Sequence, residues 1–201
     1  MKAPIQLELP SWGGRRSGAG RKRKSPLRRV SHKRRPEHAA RFPLHAVLRT
    51  RRDVPCLRSG QIFREVRAAV EAGCERAGFR LVHFSVQGNH LHLVVEALDR
   101  DALSRGMQGL SIRIARAVNR AAGRHGRVFA DHYFARELKT PAEVRRAVRY
   151  VLDNHLLHAG LEAPRADRCA PPTHAAPRTW LLKVGWLRSR AGPLPVAYWP
   201  V

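Results

Sequence analysis

His90 and His92 stand two residues apart in the run Gln87-Gly-Asn-His-Leu-His-Leu-Val-Val95. On a strand, side chains alternate, so both imidazoles emerge on one face. Two neighbouring imidazoles on one face can chelate a divalent cation. Leu91, Leu93 and Val95 then point the other way, into a core. Two packing histidines would leave the same pattern. Tyr150 and Asn154 are four apart in Tyr150-Val-Leu-Asp-Asn154, a spacing that places two side chains on one face of a helix. The apolar stripe of that segment is Val144, Ala147, Val148 and Val151, and Tyr150 falls to one side of it. Tyr150 can therefore flank a packed face and meet a sheet surface carrying the histidines. The plain alternative is a tyrosine that packs its ring and solvates its hydroxyl.

Breaking a phosphodiester while keeping its energy requires a side-chain nucleophile that forms a covalent phosphoester. A tyrosine hydroxyl, with an ordinary pKa near about 10, is a poor nucleophile but a good leaving group when the reaction reverses. A cation opposite it polarises the phosphoryl oxygens and stabilises the departing sugar oxygen. Two imidazoles plus an amide oxygen make a neutral ligand set, which leaves the full cationic charge for the phosphate, and open coordination positions admit the substrate.

The elements that must hold these residues follow from periodicity. Phe42 to Leu48 reads as a strand. Gln61 to Ala77 reads as a helix with Ile62, Val66, Val70, Cys74 and Ala77 on one stripe, closed by Gly78. Phe79 to Gln87 and His90 to Ala97 read as a hairpin joined by Gly88-Asn89, a pair suited to positive φ. Asp99 or Asp101 can cap a second helix carrying Leu103, Met107, Leu110, Ile114 and Val118, with Gly123 at its end. Arg127 to Leu138 reads as a fourth strand. Thr140-Pro-Ala-Glu143 is a helix start with a capping threonine, a proline at the first helical position and a capping-box glutamate; this helix should run to about Ala159. The predicted fold class is α+β. The order β-α-β-β-α-β is that of a ferredoxin-like antiparallel sheet, here followed by a further helix that carries Tyr150.

The chain has 201 residues and a formal net charge of +24. So large an excess implies a polyanionic partner, nucleic acid first and an acidic membrane surface second. Residues 1–40 read as a basic, disordered tail in which Arg21, Lys22, Arg23 and Lys24 are phosphate contacts, residues 41–161 as the folded domain, and residues 162–201 as a Pro-rich extension. In that extension Trp180 to Trp186 should dock on the domain. The first residues lack the pattern of a secretory signal, and no apolar run is long enough to span a membrane. Cys56, Cys74 and Cys169 are widely spaced and unpaired in motif, which fits a reducing, cytoplasmic setting.

Other residues compete for roles. Tyr133, beside Asp131 and His132, is a rival nucleophile whose alternative is strand packing. His83 reads as structural. Arg113, Arg116 and Arg120 recur at helical spacing and could form a phosphate-binding stripe or simply an exposed face. Arg145, Arg146 and Arg149 precede Tyr150, where a guanidinium could contact the nucleic-acid backbone or lower the phenol pKa.

The run Gln87 to Val95, followed by a helix bearing Tyr150-Val-Leu-Asp-Asn154, resembles the HUH strand and tyrosine helix of single-tyrosine HUH transposases. Together with Met107-Gln-Gly-Leu110 and the ending Ala-Gly-Leu161, it is similar to the insertion-sequence 200-like family and its REP-associated tyrosine transposase branch, over about Phe42 to Leu161. The resemblance implies a ferredoxin-like catalytic domain, a divalent metal such as Mg2+ or Mn2+, single-stranded or hairpin DNA as substrate, and a 5′-phosphotyrosine intermediate with a free 3′-hydroxyl. Carried onto this sequence, it makes His90 and His92 metal ligands, Tyr150 the catalytic nucleophile and Asn154 the residue completing the metal site. It implies a monomer or a homodimer, with the tyrosine acting within one chain or across two. Gly88 stands where relatives usually have proline, and Asn154-His155 where this branch often has Asn-Pro. The competing class is a binding module that holds structured DNA or RNA without catalysis. A weaker one is a metal hydrolase using water, with Tyr150 a spectator.

Overall fold

The computed structural model describes residues 35–159 and 175–189, the side chains of 153–159 excepted. Its elements in chain order are β1 (Leu44–Arg49), α1 (Gly60–Glu71), β2 (Glu75–Arg76), β3 (Phe79–Val86), β4 (His90–Ala97), α2 (Arg100–Ala121), β5 (Phe134–Glu137), α3 (Pro141–Ala159) and α4 (Trp180–Lys183), followed by a 3-10 turn, Gly185–Arg188. The sheet order is β2-β3-β4-β1-β5, with every neighbouring pair antiparallel. Setting aside the two-residue β2, this is the strand order of a ferredoxin-like domain.

Each face of the sheet carries a packed core, and the second leaves part of the sheet open. On one, Ala46, Leu48, Phe84, Leu91, Leu93 and Val95 pack with Val66, Val70, Met107, Leu110 and Ile114 of α1 and α2. On the other, Val82 and Val94 pack with Val144, Val148, Val151 and Leu152 of α3 and with Leu181, Leu182 and Trp186 of the C-terminal segment. Val94 reaches this second core because β4 alternates; Val82 reaches it at a bulge between Leu81 and His83.

Several boundaries differ from the sequence reading. β1 starts at Leu44, and Phe42 instead packs against the α3 core. α1 stops at Glu71, not Ala77, because the chain turns back to make β2 against β3. The Leu81 N–H donates to the Cys74 carbonyl at 2.7 Å across that turn. Gly78, at φ 74, serves the β2–β3 hairpin and not a helix end. Gly88 and Asn89 have negative φ: among the described residues positive φ occurs only at Gly78, Gly123 and Gly126. Their connection closes on Gln87 N–H donating to the His90 carbonyl at 2.8 Å. The strand expected over 127–138 is cut to β5, since the Asp131 side chain accepts the His132 N–H at 2.8 Å and turns the chain after the Thr50–Phe129 bridge.

The helix that carries Tyr150 starts as its sequence requires. Thr140 Oγ1 accepts the Glu143 N–H at 3.2 Å, and Glu143 Oε2 accepts the Thr140 and Lys139 N–H groups at 3.1 and 2.7 Å. These backbone donors, Lys139 first and then Thr140 against a burial penalty, hold the Glu143 carboxyl below the usual carboxylate range. At its far side α3 leans on the C-terminal segment, which β4 anchors. Glu96 accepts the N–H groups of Arg178 at 2.9 Å and Thr179 at 2.8 Å. Thr140→Ala should lower stability by about 1 kcal/mol in urea unfolding, and Thr140→Ser should restore most of it; an unchanged midpoint in Thr140→Ala would remove the capping account.

Candidate functional site

β4 lies between β1 and β3, and its odd-numbered residues are committed to the α1–α2 core. His90 and His92 are thereby turned to the α3 face, as alternation requires. Their Nε2 atoms are 3.0 Å apart, and their rings meet edge to face at 4.7 Å between centroids. His92 is 5% exposed, whereas His90, at the strand end, is half-buried. The turn before them is held by Leu57 N–H donating to the Gly88 carbonyl at 2.8 Å and Thr50 N–H donating to the Asn89 carbonyl at 2.9 Å.

Tyr150 arrives from α3. Its ring centroid is 5.0 Å from that of His92, and the residue remains 42% exposed. Tyr150 thus has one side against the histidine pair and one side open. All of these residues belong to one chain. Asn154 lies on α3 one turn further on, with its side chain outside the described residues.

Sequence reasoning missed a third imidazole. His45 Nε2 is 3.2 Å from His92 Nδ1, and the two rings stack at 5.3 Å with 26° between planes. The Tyr150 ring sits 6.1 Å from His45. Alternation along β1, with Leu44, Ala46 and Leu48 in the core, already turns His45 to the opposite face; what the sequence lacked was the pairing of β1 with β4. Burial, and then the Arg136 cation on the neighbouring strand, push the His45 imidazole down to about 4. It is thus neutral at neutral pH.

The other candidates fall in different places. Arg113, Arg116 and Arg120 are exposed but lie on α2, across the sheet from the histidines, and Arg120 pairs with Glu65 at 2.8 Å. Arg145 is buried, which removes it from an open phosphate surface; Arg146 and Arg149 are exposed on α3. Arg49 and Arg136 are exposed on the same sheet face as the histidines, in register with His90 and His45 respectively. Tyr133 belongs to the α1–α2 core, with the Arg35 guanidinium 3.8 Å above its ring, and burial raises its phenol pKa. It is therefore on the wrong side of the sheet to rival Tyr150. Arg21, Lys22, Arg23 and Lys24 lie outside the described residues. Among the described residues no cluster of three or more His, Cys, Asp or Glu side chains forms a metal cage, and no helix is long and apolar enough to cross a membrane.

The 3.0 Å separation of the two Nε2 atoms lets both reach one cation at about 2.1 Å, and it is equally the length of a hydrogen bond between the rings.

The fold and this cluster define a ferredoxin-like domain with a tyrosine–histidine centre between its sheet and an added helix. The sequence profile of the family described as "Transposase IS200 like" matches residues 39–154, more than half of the chain. The chain belongs to that family, and its function is of the transposase type, acting on DNA. Among solved structures it is similar to a REP-associated tyrosine transposase bound to a REP hairpin, at 16% identity and TM-score 0.52, over 66% of this chain and 77% of that one. A candidate transposase of Deinococcus radiodurans R1 aligns at 12% identity and TM-score 0.42, over 68% of this chain and 100% of that one. No curated protein matches by sequence.

The displaced His45 titration has a measurable sign. Between about 6.5 and about 4 the unfolded chain holds a proton at this residue that the folded metal-free chain refuses, so stability falls as pH drops through that window. Histidine NMR of the metal-free protein should show His45 still neutral at pH values where an ordinary imidazole is protonated; an ordinary midpoint would contradict its burial.

Proposed function

We propose that this chain is a DNA transesterase that nicks and rejoins single-stranded or hairpin DNA through a 5′-phosphotyrosine at Tyr150. The observation that carries the reading is the 5.0 Å approach of the half-open Tyr150 ring to His92, within one chain, where the His90 and His92 Nε2 atoms converge at 3.0 Å. His90 and His92, with Asn154 from α3, would hold a divalent cation, Mg2+ or Mn2+. Bound there, such a cation would polarise the phosphoryl oxygens and neutralise charge on the departing oxygen.

The chain's own residues do the rest. The Tyr150 oxygen attacks phosphorus; the Tyr150 O–P bond forms as the P–O3′ bond breaks. The phenol proton is balanced by the one gained at the 3′-oxygen, which leaves as a free hydroxyl. The 5′-phosphate stays on Tyr150, and a 3′-hydroxyl can later reverse the step, joining strands without an external energy source. The rigid capped start of α3 and its buried stripe fix the approach of the tyrosine, which limits the entropy lost in reaching the reactive arrangement. Arg49, Arg136 and Arg149 supply positive charge around the open side and would take backbone phosphates on either side of the scissile one. Arg21, Lys22, Arg23 and Lys24 would add contacts that carry no sequence information and weaken with salt.

A hairpin or single strand suits this site better than a duplex, since one strand must lie across an open sheet face beside α3. The similar solved transposase is bound to a REP hairpin, which supports the same class of partner here.

The test is incubation of end-labelled single-stranded, hairpin and duplex DNA with wild type and Tyr150→Phe in Mg2+ or Mn2+, followed by denaturing electrophoresis. Wild type should form a protein–DNA adduct on hairpin or single strand. Tyr150→Phe should lose it by at least about 1000-fold, the scale of losing a nucleophile. Cleavage that survives in Tyr150→Phe would remove the tyrosine from the reaction.

A further inference from the structure

The residues around His92 form an unbroken chain of polar contacts. Asn89 Oδ1 lies 2.7 Å from His90 Nδ1, His90 Nε2 lies 3.0 Å from His92 Nε2, and His92 Nδ1 lies 3.2 Å from His45 Nε2. A neutral imidazole has one N–H and one lone pair. With the amide oxygen of Asn89 as acceptor, His90 carries its hydrogen on Nδ1 and turns the lone pair of Nε2 towards His92.

The contact between the two Nε2 atoms then has two solutions. With hydrogen on His92 Nε2, the two rings are hydrogen-bonded to each other, and the pair is closed to a cation. With hydrogen on His92 Nδ1, two lone pairs converge across 3.0 Å, a repulsive arrangement unless a cation lies between them. Only the second is a chelate, and it needs an acceptor for the Nδ1 hydrogen. Histidines that bind metals commonly present their second nitrogen to such a partner, which fixes tautomer and ring orientation.

We propose that His45 is a positioning residue that accepts the Nδ1 hydrogen of His92 and so keeps both Nε2 lone pairs directed to a divalent cation. Its place is set by the sheet. His45 pairs in register with Val94, one step along the same face from His92, so its ring reaches His92 on the diagonal, nitrogen to nitrogen at 3.2 Å with 26° between the ring planes. Asn89 plays the matching part for His90 from the turn. The four residues thus place an oriented ligand pair between two orienting groups, one on each side. The inference rests on the reading of His90 and His92 as metal ligands, and its test separates the two.

Mn2+ binding to the full chain is measured by electron paramagnetic resonance of the free ion, for wild type, His45→Phe and His45→Gln, with circular dichroism to check the fold. His45→Phe keeps a ring but no acceptor and should weaken Mn2+ by about 10–100-fold. The amide oxygen of His45→Gln can still accept and should restore affinity to within a few-fold of wild type. In parallel, 15N NMR of Zn2+-loaded wild type should show the His92 Nδ1 hydrogen protected from exchange by its bond to His45 Nε2, a readout that needs no variant to fold. Equal affinity in all three proteins, or a His92 Nδ1 hydrogen that exchanges freely with solvent in the loaded protein, would overturn the role of His45 alone. A wild type that binds no Mn2+ would instead remove the metal reading on which it stands.

Discussion

The antiparallel pairing of β1 with β4 places Val47 opposite His92 and Arg49 opposite His90, and the rest of the centre follows from that register. Because strand side chains alternate, a slip of one residue would send His90 and His92 into the α1–α2 core and Leu91 and Leu93 onto the α3 face. The cost of burying unpaired imidazoles in exchange for exposed leucines is what holds the register. The same pairing brings His45 to His92, and the pairing of β1 with β5 brings Arg136 to His45, so three strands contribute to one small polar area.

That area exists because α3 covers only part of its face. Val144, Val148 and Val151 seal the helix against Val82 and Val94, and Leu181, Leu182 and Trp186 extend the seal. Where the apolar stripe ends, Tyr150 lies over the histidines with part of its surface open. Glu96 ties the arrangement to β4 itself: the strand that carries the histidines also anchors, through Arg178 and Thr179, the segment on which α3 leans. Stability and site geometry therefore share one strand.

Much of this was legible in the sequence, and the reasons are specific. The His90–His92 strand, the α2 stripe from Leu103 to Val118 and the Thr140–Glu143 capping box are local patterns, and each stands in the structure where the pattern put it. The strand order could be inferred because β-α-β-β-α-β has few compact solutions. What the sequence did not disclose was non-local. β2 exists only because β3 offers it an edge, and β5 is short because Asp131 captures the His132 N–H. His45 carried no motif; only the meeting of β1 and β4 makes it part of the centre. The expected positive φ at Gly88-Asn89 failed because contacts from Thr50 and Leu57 hold the turn, so its own dihedral preference does not decide it. Arg113, Arg116 and Arg120 were read from spacing alone, and spacing does not say which side of a sheet a helix will cover.

The central claim is that the tyrosine and the histidines of a single chain make one reaction centre. Mixing Tyr150→Phe with His92→Ala on labelled hairpin DNA, beside wild type that forms the covalent adduct, tests it most directly. A centre completed within one chain predicts no adduct from the mixture beyond that of either variant alone. Recovery of adduct to a substantial fraction of wild type would mean that the tyrosine helix of one chain serves the histidines of another, and would contradict the account.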